Sequence, residues 1–427
     1  MTARGAPISD AERADVLDAL RGFALLGIFL SHVPDFSGFT FMSDVERAAG
    51  DRLGANELLD AALHFFIQGK FVSLFSLLFG IGFAVQLESA VRGSRNFARH
   101  FARRQAILLI IGLTHALIWY GDILKDYALI GLALIITARW TPAAVGLAAA
   151  AVLCLRVVWP LIMWAVLADT APLATGADPA GRFSALAQTF AGADPIATFA
   201  ANMELLRIKA LQMLYDGKAV SILGMFLLGA YIGKLRLYRD LQTHSGLLGR
   251  VFVTCAPLGV IGNGLLAALG PVTPTFPPSP IWVAEQTLAA VAVPLMTLAY
   301  AAGFAWLWSK HDGSRLRTMA PAGRMALTTY VSQTLVGVIV FYGIGLGLHG
   351  SADLAICIAF ALAVFVLQCA TAALWLKHFR FGPLEWLWRR TTYGTPLPML
   401  RRTQAVMADP PPTNDSPPPR QPNSSAV

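Results

Sequence analysis

The sequence predicts an all-α, polytopic integral membrane protein of about ten transmembrane helices, with both termini in the cytoplasm. Three observations predict it. Apolar residues make up 56% of the 427 and charged residues 14%, far from the mixed surface of a soluble chain. Long apolar runs recur along the chain and do not alternate as barrel strands would. Loop charge changes in step with those runs, as the positive-inside rule requires.

The runs fall at 16–34, 64–85, 105–120, 122–137, 142–168, 218–233, 251–270, 282–307, 325–347 and 353–376. Residues 86–104 carry five Arg and one Glu, and residues 234–250 and 310–324 each carry four basic residues and one Asp. Arg139 and the Arg-rich segment after Lys377 belong to the same side. The alternate loops are neutral or acidic: 35–63 has six acids against two Arg, and 271–281 has no charge. The basic loops are therefore cytoplasmic. The net charge of +8 is anchoring charge facing anionic lipid and not a nucleic-acid footprint.

This divides the chain into a cytoplasmic N-terminal segment (1–14), a five-helix membrane half (15–168), an extracytoplasmic connector (169–217), a second five-helix half (218–404) and a Pro-rich tail (405–427). The tail has little apolar surface to pack and is expected to be disordered and cytoplasmic. The expected location is a membrane whose cytoplasmic face carries the basic loops. The first run is not a signal peptide, since Asp10, Glu12, Asp15 and Asp18 crowd its start and no small-residue cleavage site follows Ser31.

Taken in order, the first run holds Arg21 and His32 eleven residues apart in LDALRGFALLGIFLSH, about 16 Å of helical rise. Asp18 offers Arg21 an i,i+3 ion pair, while guanidinium geometry also suits a phosphate or carboxylate. His32, with Asp35 nearby, is a candidate general base or a satisfied interfacial imidazole. The second run opens on HFFIQGKF, where Lys70 can snorkel or bind an anion. The third and fourth meet in THALIWYGDILKDYALIG. His115 and Trp119 share a helix face there, Gly121 turns the chain, and Asp122, Lys125 and Asp126 begin the next span. A His–Asp base and a polar helix cap are both open readings of that hairpin.

Arg156 lies deep in the fifth run and needs a carboxylate, a wet cavity or an anionic ligand. Glu285, in WVAEQTL, is a candidate partner. Loop 35–63 has room for a surface helix. In the connector, IATFAANMELLRIKALQML is an amphipathic helix that lies at the interface, lids a cavity or simply connects. In the ninth run Arg324, Thr328 and Ser332 follow at steps of four, on one helix face that lines a cavity or packs on a neighbour. FRFGPLEWLWRR closes the bundle as an aromatic and basic inner-leaflet anchor.

The four Cys lie in apolar runs without ligand spacing, and no metal is expected. No Walker loop, dinucleotide fingerprint or zinc helix is present. The paired discontinuous helices and inverted repeat of many secondary transporters are not evident.

LDALRGFALLGIF, GKFVSLFSLLFGIGF, THALIWYGDILKDYALIG, GRMALTTYVSQTL and FGPLEWLWRR lie in order across residues 15 to 392. Together they resemble the YeiB-like family of bacterial membrane proteins, whose C-terminal half is a domain of unknown function (418). That group is similar to the transmembrane acyltransferases, which include sugar and polysaccharide O-acetyltransferases and a lysosomal glucosaminide N-acetyltransferase. In the O-acyltransferase branch an Arg is followed eleven residues on by a His, both important for activity, and Arg21 and His32 resemble that pair. Members of the nearer family commonly have Asn at the position of His32. Lys70, His115 and Asp122 look like features of the nearer family.

The resemblance implies transfer of an acyl group, as acetyl, from cytoplasmic acyl-CoA to a hydroxyl or amine on a small-molecule or glycan acceptor across the membrane. His32, His115, Asp122 and Asp35 are the catalytic candidates. Arg21, Arg104, Arg324, Lys70 and Arg156 are the candidates for binding the donor. The alternative expectation is a transporter or exporter of a small anionic or amphipathic solute, and an assembly or sensing scaffold is a third. Membrane lipids are expected partners. Oligomeric state stays open, a homodimer among the options.

Overall fold

The computed structural model describes residues 10–401 except 93–95, 169–184, 187, 271, 273–276, 311–312, 314 and 395–396. The tail 405–427, most of the N-terminal segment and the start of the connector therefore lie outside the described residues. What is described is helical apart from turns and one isolated bridge, Phe379 with Leu400.

Helix α1 (Asp10–Ser37) carries both Arg21 and His32. The acidic loop after it holds two helices, α2 (Asp44–Ala49) and α3 (Asn56–Phe66). A capping box opens α2, with Ser43 and Glu46 each satisfying the other's backbone amide. Then come α4 (Lys70–Arg92), α5 (Phe97–Ile118), α6 (Leu124–Gly131) and α7 (Pro142–Leu167). The connector's amphipathic stretch is α8 (Pro195–Tyr215), followed by α9 (Lys218–Lys234), α10 (Ser245–Leu269) and α11 (Pro280–Lys310). The chain continues through α12 (Ala320–Arg324), α13 (Ala326–Phe341), α14 (Leu354–His378) and α15 (Pro383–Tyr393).

Among the described residues seven helices are long and apolar enough to cross a membrane, and nine if each of two bent pairs makes one span. The protein is thus an all-α, multi-pass membrane protein. One bent pair is α8 with α9, at 66°; the other joins 316–324 to α13, at 86°. Gly217 makes the first bend, since its φ of +67° ends α8 and starts α9.

The ten expected runs and the structure part at 122–137. There α6 has 8 residues and passes into an 8-residue 3₁₀ helix, Leu132–Arg139. A 3₁₀ helix advances about 2.0 Å per residue against 1.5 Å, so these two pieces rise about 28 Å. They are short in residues yet close to the thickness of the hydrocarbon core.

Burial separates central from peripheral helices. In α1, 56% of the apolar window is buried, against 17% in α10 and 22% in α7 and α14. Leu147, Val253, Ile261 and Val366 point outward from the peripheral helices, as lipid contact favours. The central helices meet backbone to backbone. A Cβ on Gly22 would strike the Met319 carbonyl, and one on Gly323 the Asp18 carbonyl. Gly80 and Gly229 do the same between α4 and α9, against Phe226 and Leu77.

Candidate functional site

The hairpin between α5 and α6 is built by its own sequence. Trp119 ends α5 in an extended conformation, and its indole lies where a side chain on residue 121 would stand, which Gly121 leaves free. The chain reverses and delivers Asp122 back to α5. His115 Nδ1 and Asp122 Oδ1 are 2.7 Å apart, and both side chains are buried. The other carboxylate oxygen accepts the Lys125 amide at 2.9 Å, which fixes the acid. Lys125 is neutralised locally, with its ammonium 2.9 Å from Asp126. His115 Nε2 is buried and has no hydrogen-bond partner among the described residues.

Tyr330, on α13, joins this hairpin to α1. Its ring centroid is 5.2 Å from that of His115 and 6.3 Å from that of His32. Its hydroxyl lies 3.4 Å from the Ile123 amide and 3.5 Å from the Gly121 carbonyl, so it grips the turn from both sides. His32 stands edge-on to Trp119, centroids 4.5 Å apart. The two histidines expected from separate runs therefore share one aromatic cluster.

Asp35 is one turn beyond His32, but the two make no hydrogen bond among the described residues. Its carboxylate accepts from Thr40 at 2.7 Å and faces the Tyr120 hydroxyl. Helix α8 covers this end of the bundle. Asn202 caps the last carbonyls of α5, donating to Ala116 at 2.9 Å, and the Lys209 ammonium stands 5.7 Å over the Tyr120 ring. This placement packs α8 against the end of the α5–α6 hairpin.

Arg21, Arg104 and Arg324 gather at the other end of α1. Arg21 pairs with Asp18 at 2.5 Å, and the exposed Arg324 lies within electrostatic reach of the same Asp18. Arg104 stacks over Trp388 at 3.6 Å and lies within electrostatic reach of Arg21 and Arg389. The expected single stripe of Arg324, Thr328 and Ser332 does not form. The chain bends at Met325, so Arg324 belongs to α12 and the other two to α13.

Lys70 and Arg156 stand apart from both ends. Lys70 is 3% exposed and donates to the His64 carbonyl at 2.6 Å, closing the end of α3, so its ammonium turns onto protein. Arg156 is buried, but its partner is not Glu285. Its guanidinium donates to Ser221 at 3.0 Å and to the Gln286 side chain at 2.9 Å. Neutral acceptors hold the guanidinium, and among the described residues it makes no ion pair, with Asp216 and Glu285 within electrostatic reach.

Three of these residues escape a reading by charge and spacing. Tyr330 sits in the motif TTYVSQ, two residues after Thr328 and off the stripe. Gln286 is the immediate neighbour of the expected Glu285. Glu385, in FGPLEW, reaches α13 and accepts from the amides of Leu327 (2.7 Å) and Thr328 (3.0 Å) and from the Thr328 hydroxyl (2.6 Å). An acid at i+2 after Pro383 reads locally as a first-turn helix residue, which hides its long-range role.

A family model described as "Protein of unknown function (DUF418)" matches residues 232–395. Along nearly its whole length the chain resembles curated bacterial proteins. It is 29% identical over 424 residues to "Uncharacterized protein YxaH" of Bacillus subtilis (strain 168), covering 93% of this chain and 98% of that one. It is 30% identical over 414 residues to "Uncharacterized protein YeiB" of Escherichia coli (strain K12), covering 92% and 99%. No solved structure matches. With 30% identity across 99% of YeiB, and the DUF418 region in its C-terminal half, the chain belongs to the YeiB (DUF418) family of multi-pass membrane proteins.

Proposed function

We propose that the protein is a membrane-embedded acyltransferase. It moves an acyl group, as acetyl, from cytoplasmic acyl-CoA to a hydroxyl or amine of a small-molecule or glycan acceptor at the extracytoplasmic side. The observation that carries this reading is the buried His115–Asp122 pair at 2.7 Å, with Nε2 unpartnered and His32 across Tyr330. The reading places the chain in the bacterial inner membrane among lipids, with both termini cytoplasmic and ten spans. The tenth span is the α6–3₁₀ rod. No nucleic-acid partner is invoked, and a homodimer is compatible with it.

A carboxylate on Nδ1 holds the imidazole in one tautomer and leaves the Nε2 lone pair free to accept a proton. His115 Nε2 takes the proton from the acceptor as its oxygen or nitrogen forms the bond to the acyl carbon. Asp122 stabilises the imidazolium, and the proton passes on to the departing thiolate. The donor supplies the activated thioester. Arg21, Arg104 and Arg324 suit its phosphates in charge and lie at the opposite end of α1. His32 and Asp35 line the acceptor side. The fixed interactions of Lys70 and Arg156 make both structural in this reading.

The test is transfer from labelled acetyl-CoA by protein reconstituted in proteoliposomes containing a panel of sugar and amine acceptors. Labelled product, lost in His115→Ala protein that still elutes as a folded peak, supports the reading. Absence of both transfer and acetyl-CoA hydrolysis sinks it. Unaltered turnover in His115→Ala and in His32→Ala removes the histidine assignment.

One observation favours the second reading, transport of a small anionic or amphipathic solute. The two bent helix pairs resemble the discontinuous helices of secondary transporters. One bend lies at Gly217 and the other at Met325, each directly between two helices. Solute flux into the same proteoliposomes without chemical change would decide for transport.

A further inference from the structure

A cavity of about 550 Å³ lies at the His32 end of the bundle, past the end of α1, and no step of the acyl-transfer reading uses it. Its lining includes Gly38, Phe39, Arg47, Arg52, Gln188 and His349. His349, between α13 and α14, is 8% exposed. Its Nδ1 lies 3.1 Å from the Phe36 carbonyl, which can only accept, so Nδ1 carries the proton. Nε2 is then a bare lone pair in the neutral ring, buried and without a partner among the described residues. Burial holds His349 below the usual imidazole pKa, which keeps the ring neutral near pH 7.

Gly38 packs against that atom without a side chain, so only a small backbone displacement separates the atom from the cavity. The φ of Gly38 is +87°, and a Cβ there would stand 2.6 Å from His349 Nε2. The same lining carries positive charge. The Arg47 guanidinium stacks 4.7 Å over Phe39, and its Nε is buried and without a hydrogen-bond partner among the described residues. Among the described residues its ion pair is a long one, 3.4 Å to Asp60. Arg52 extends an exposed cation at the rim. Glu46, the acid in the lining, is already engaged by the Ser43 amide and hydroxyl at 2.8 Å each. The lining therefore offers two cations, one engaged acid and one acceptor lone pair.

We propose that this cavity binds a small anion that also carries a hydroxyl group: the arginines hold the anion and His349 Nε2 accepts the hydroxyl proton as a hydrogen bond. The proposal is independent of acyl transfer. The same chemistry occurs in a free polyol phosphate and in a phosphatidylglycerol headgroup.

The test is equilibrium binding of labelled sn-glycerol 3-phosphate to the full chain in phosphatidylcholine nanodiscs, with ethyl phosphate as the analogue lacking the hydroxyls. Saturable binding is expected, with glycerol 3-phosphate preferred over ethyl phosphate by about tenfold, the scale of one buried hydrogen bond. Arg52→Gln, an exposed change that leaves the fold intact, weakens both ligands. His349→Phe removes the preference and leaves ethyl phosphate binding. Competition from phosphatidylglycerol-containing nanodiscs would identify a lipid headgroup as the source; absence of competition would identify a free solute. No saturable binding by the wild-type protein overturns the proposal, as does an affinity and preference unmoved by both variants.

Discussion

His115 and Asp122 meet at 2.7 Å across the hairpin between α5 and α6, and both side chains are buried. A buried base oriented by a buried acid is a costly arrangement unless both are fully used, and here one nitrogen is left over. Asp122→Asn keeps the shape but presents an amide in place of the carboxylate, which favours the wrong imidazole tautomer. Transfer is expected to fall by about 10²–10⁴, the range for loss of a positioned base, while the folded elution profile persists. Transfer rates measured beside size-exclusion profiles check this.

Gly121 is held small by the Trp119 indole. Gly121→Ala drives a methyl into that ring, and Trp119 is the neighbour of His32 at 4.5 Å. The expected cost is about 1–3 kcal/mol of stability, the usual penalty for overpacking, together with a shift in tryptophan fluorescence. Thermal unfolding in detergent measures the first and emission spectra the second.

Arg156 is satisfied by Ser221 and Gln286. Gln286→Leu removes the shorter side-chain partner and leaves the guanidinium buried, and about 1.5–3 kcal/mol should be lost. Arg156→Met combined with Gln286→Leu should recover much of it, because the stranded charge is gone. A double-mutant cycle in unfolding midpoints distinguishes this coupling from simple additivity.

Burial lowers the His349 pKa in the folded state. The unfolded chain, with a pKa of about 6.5, then binds the proton more readily. The stability contributed by the neutral ring is complete above that value and is lost as pH falls through the lower folded pKa. His349→Gln should flatten this part of the curve, so the gap between wild-type and variant unfolding midpoints narrows on acidification from pH 7 to 5. A gap that does not change with pH would argue against a neutral ring.

Most of the architecture is legible in composition because a membrane imposes one periodic demand on every span. The runs around α1, α5, α7, α10, α11 and α14 coincide with helices to within a few residues at most ends. The 122–137 run is harder to read, since apolar composition does not reveal that its second half rises as a 3₁₀ helix. Met325 hides its bend for a related reason: the i,i+4 stripe around it is valid only if the helix continues. At the site, His115 and Asp122 are legible because a tight hairpin forces neighbours in sequence to be neighbours in space. Tyr330 is more than 200 residues from the turn it grips, and no local pattern announces such a contact. Arg156 shows the opposite failure. Charge suggested Glu285, and packing chose the amide beside it.

Glu385 supplies acceptors for the first amides of α13 from a helix that follows α14. Its loss by Glu385→Ala should cost about 1–3 kcal/mol, read as a lower unfolding midpoint. The same contact also sets a timetable for synthesis. When α13 leaves the ribosome its capping acid has not yet been translated, and the whole of α14 intervenes. Until residue 385 emerges, the start of α13 has to borrow acceptors from water or from lipid headgroups. A nascent chain halted within α14 should therefore expose the Leu327 and Thr328 amides to hydrogen exchange, and extension past Glu385 should close them.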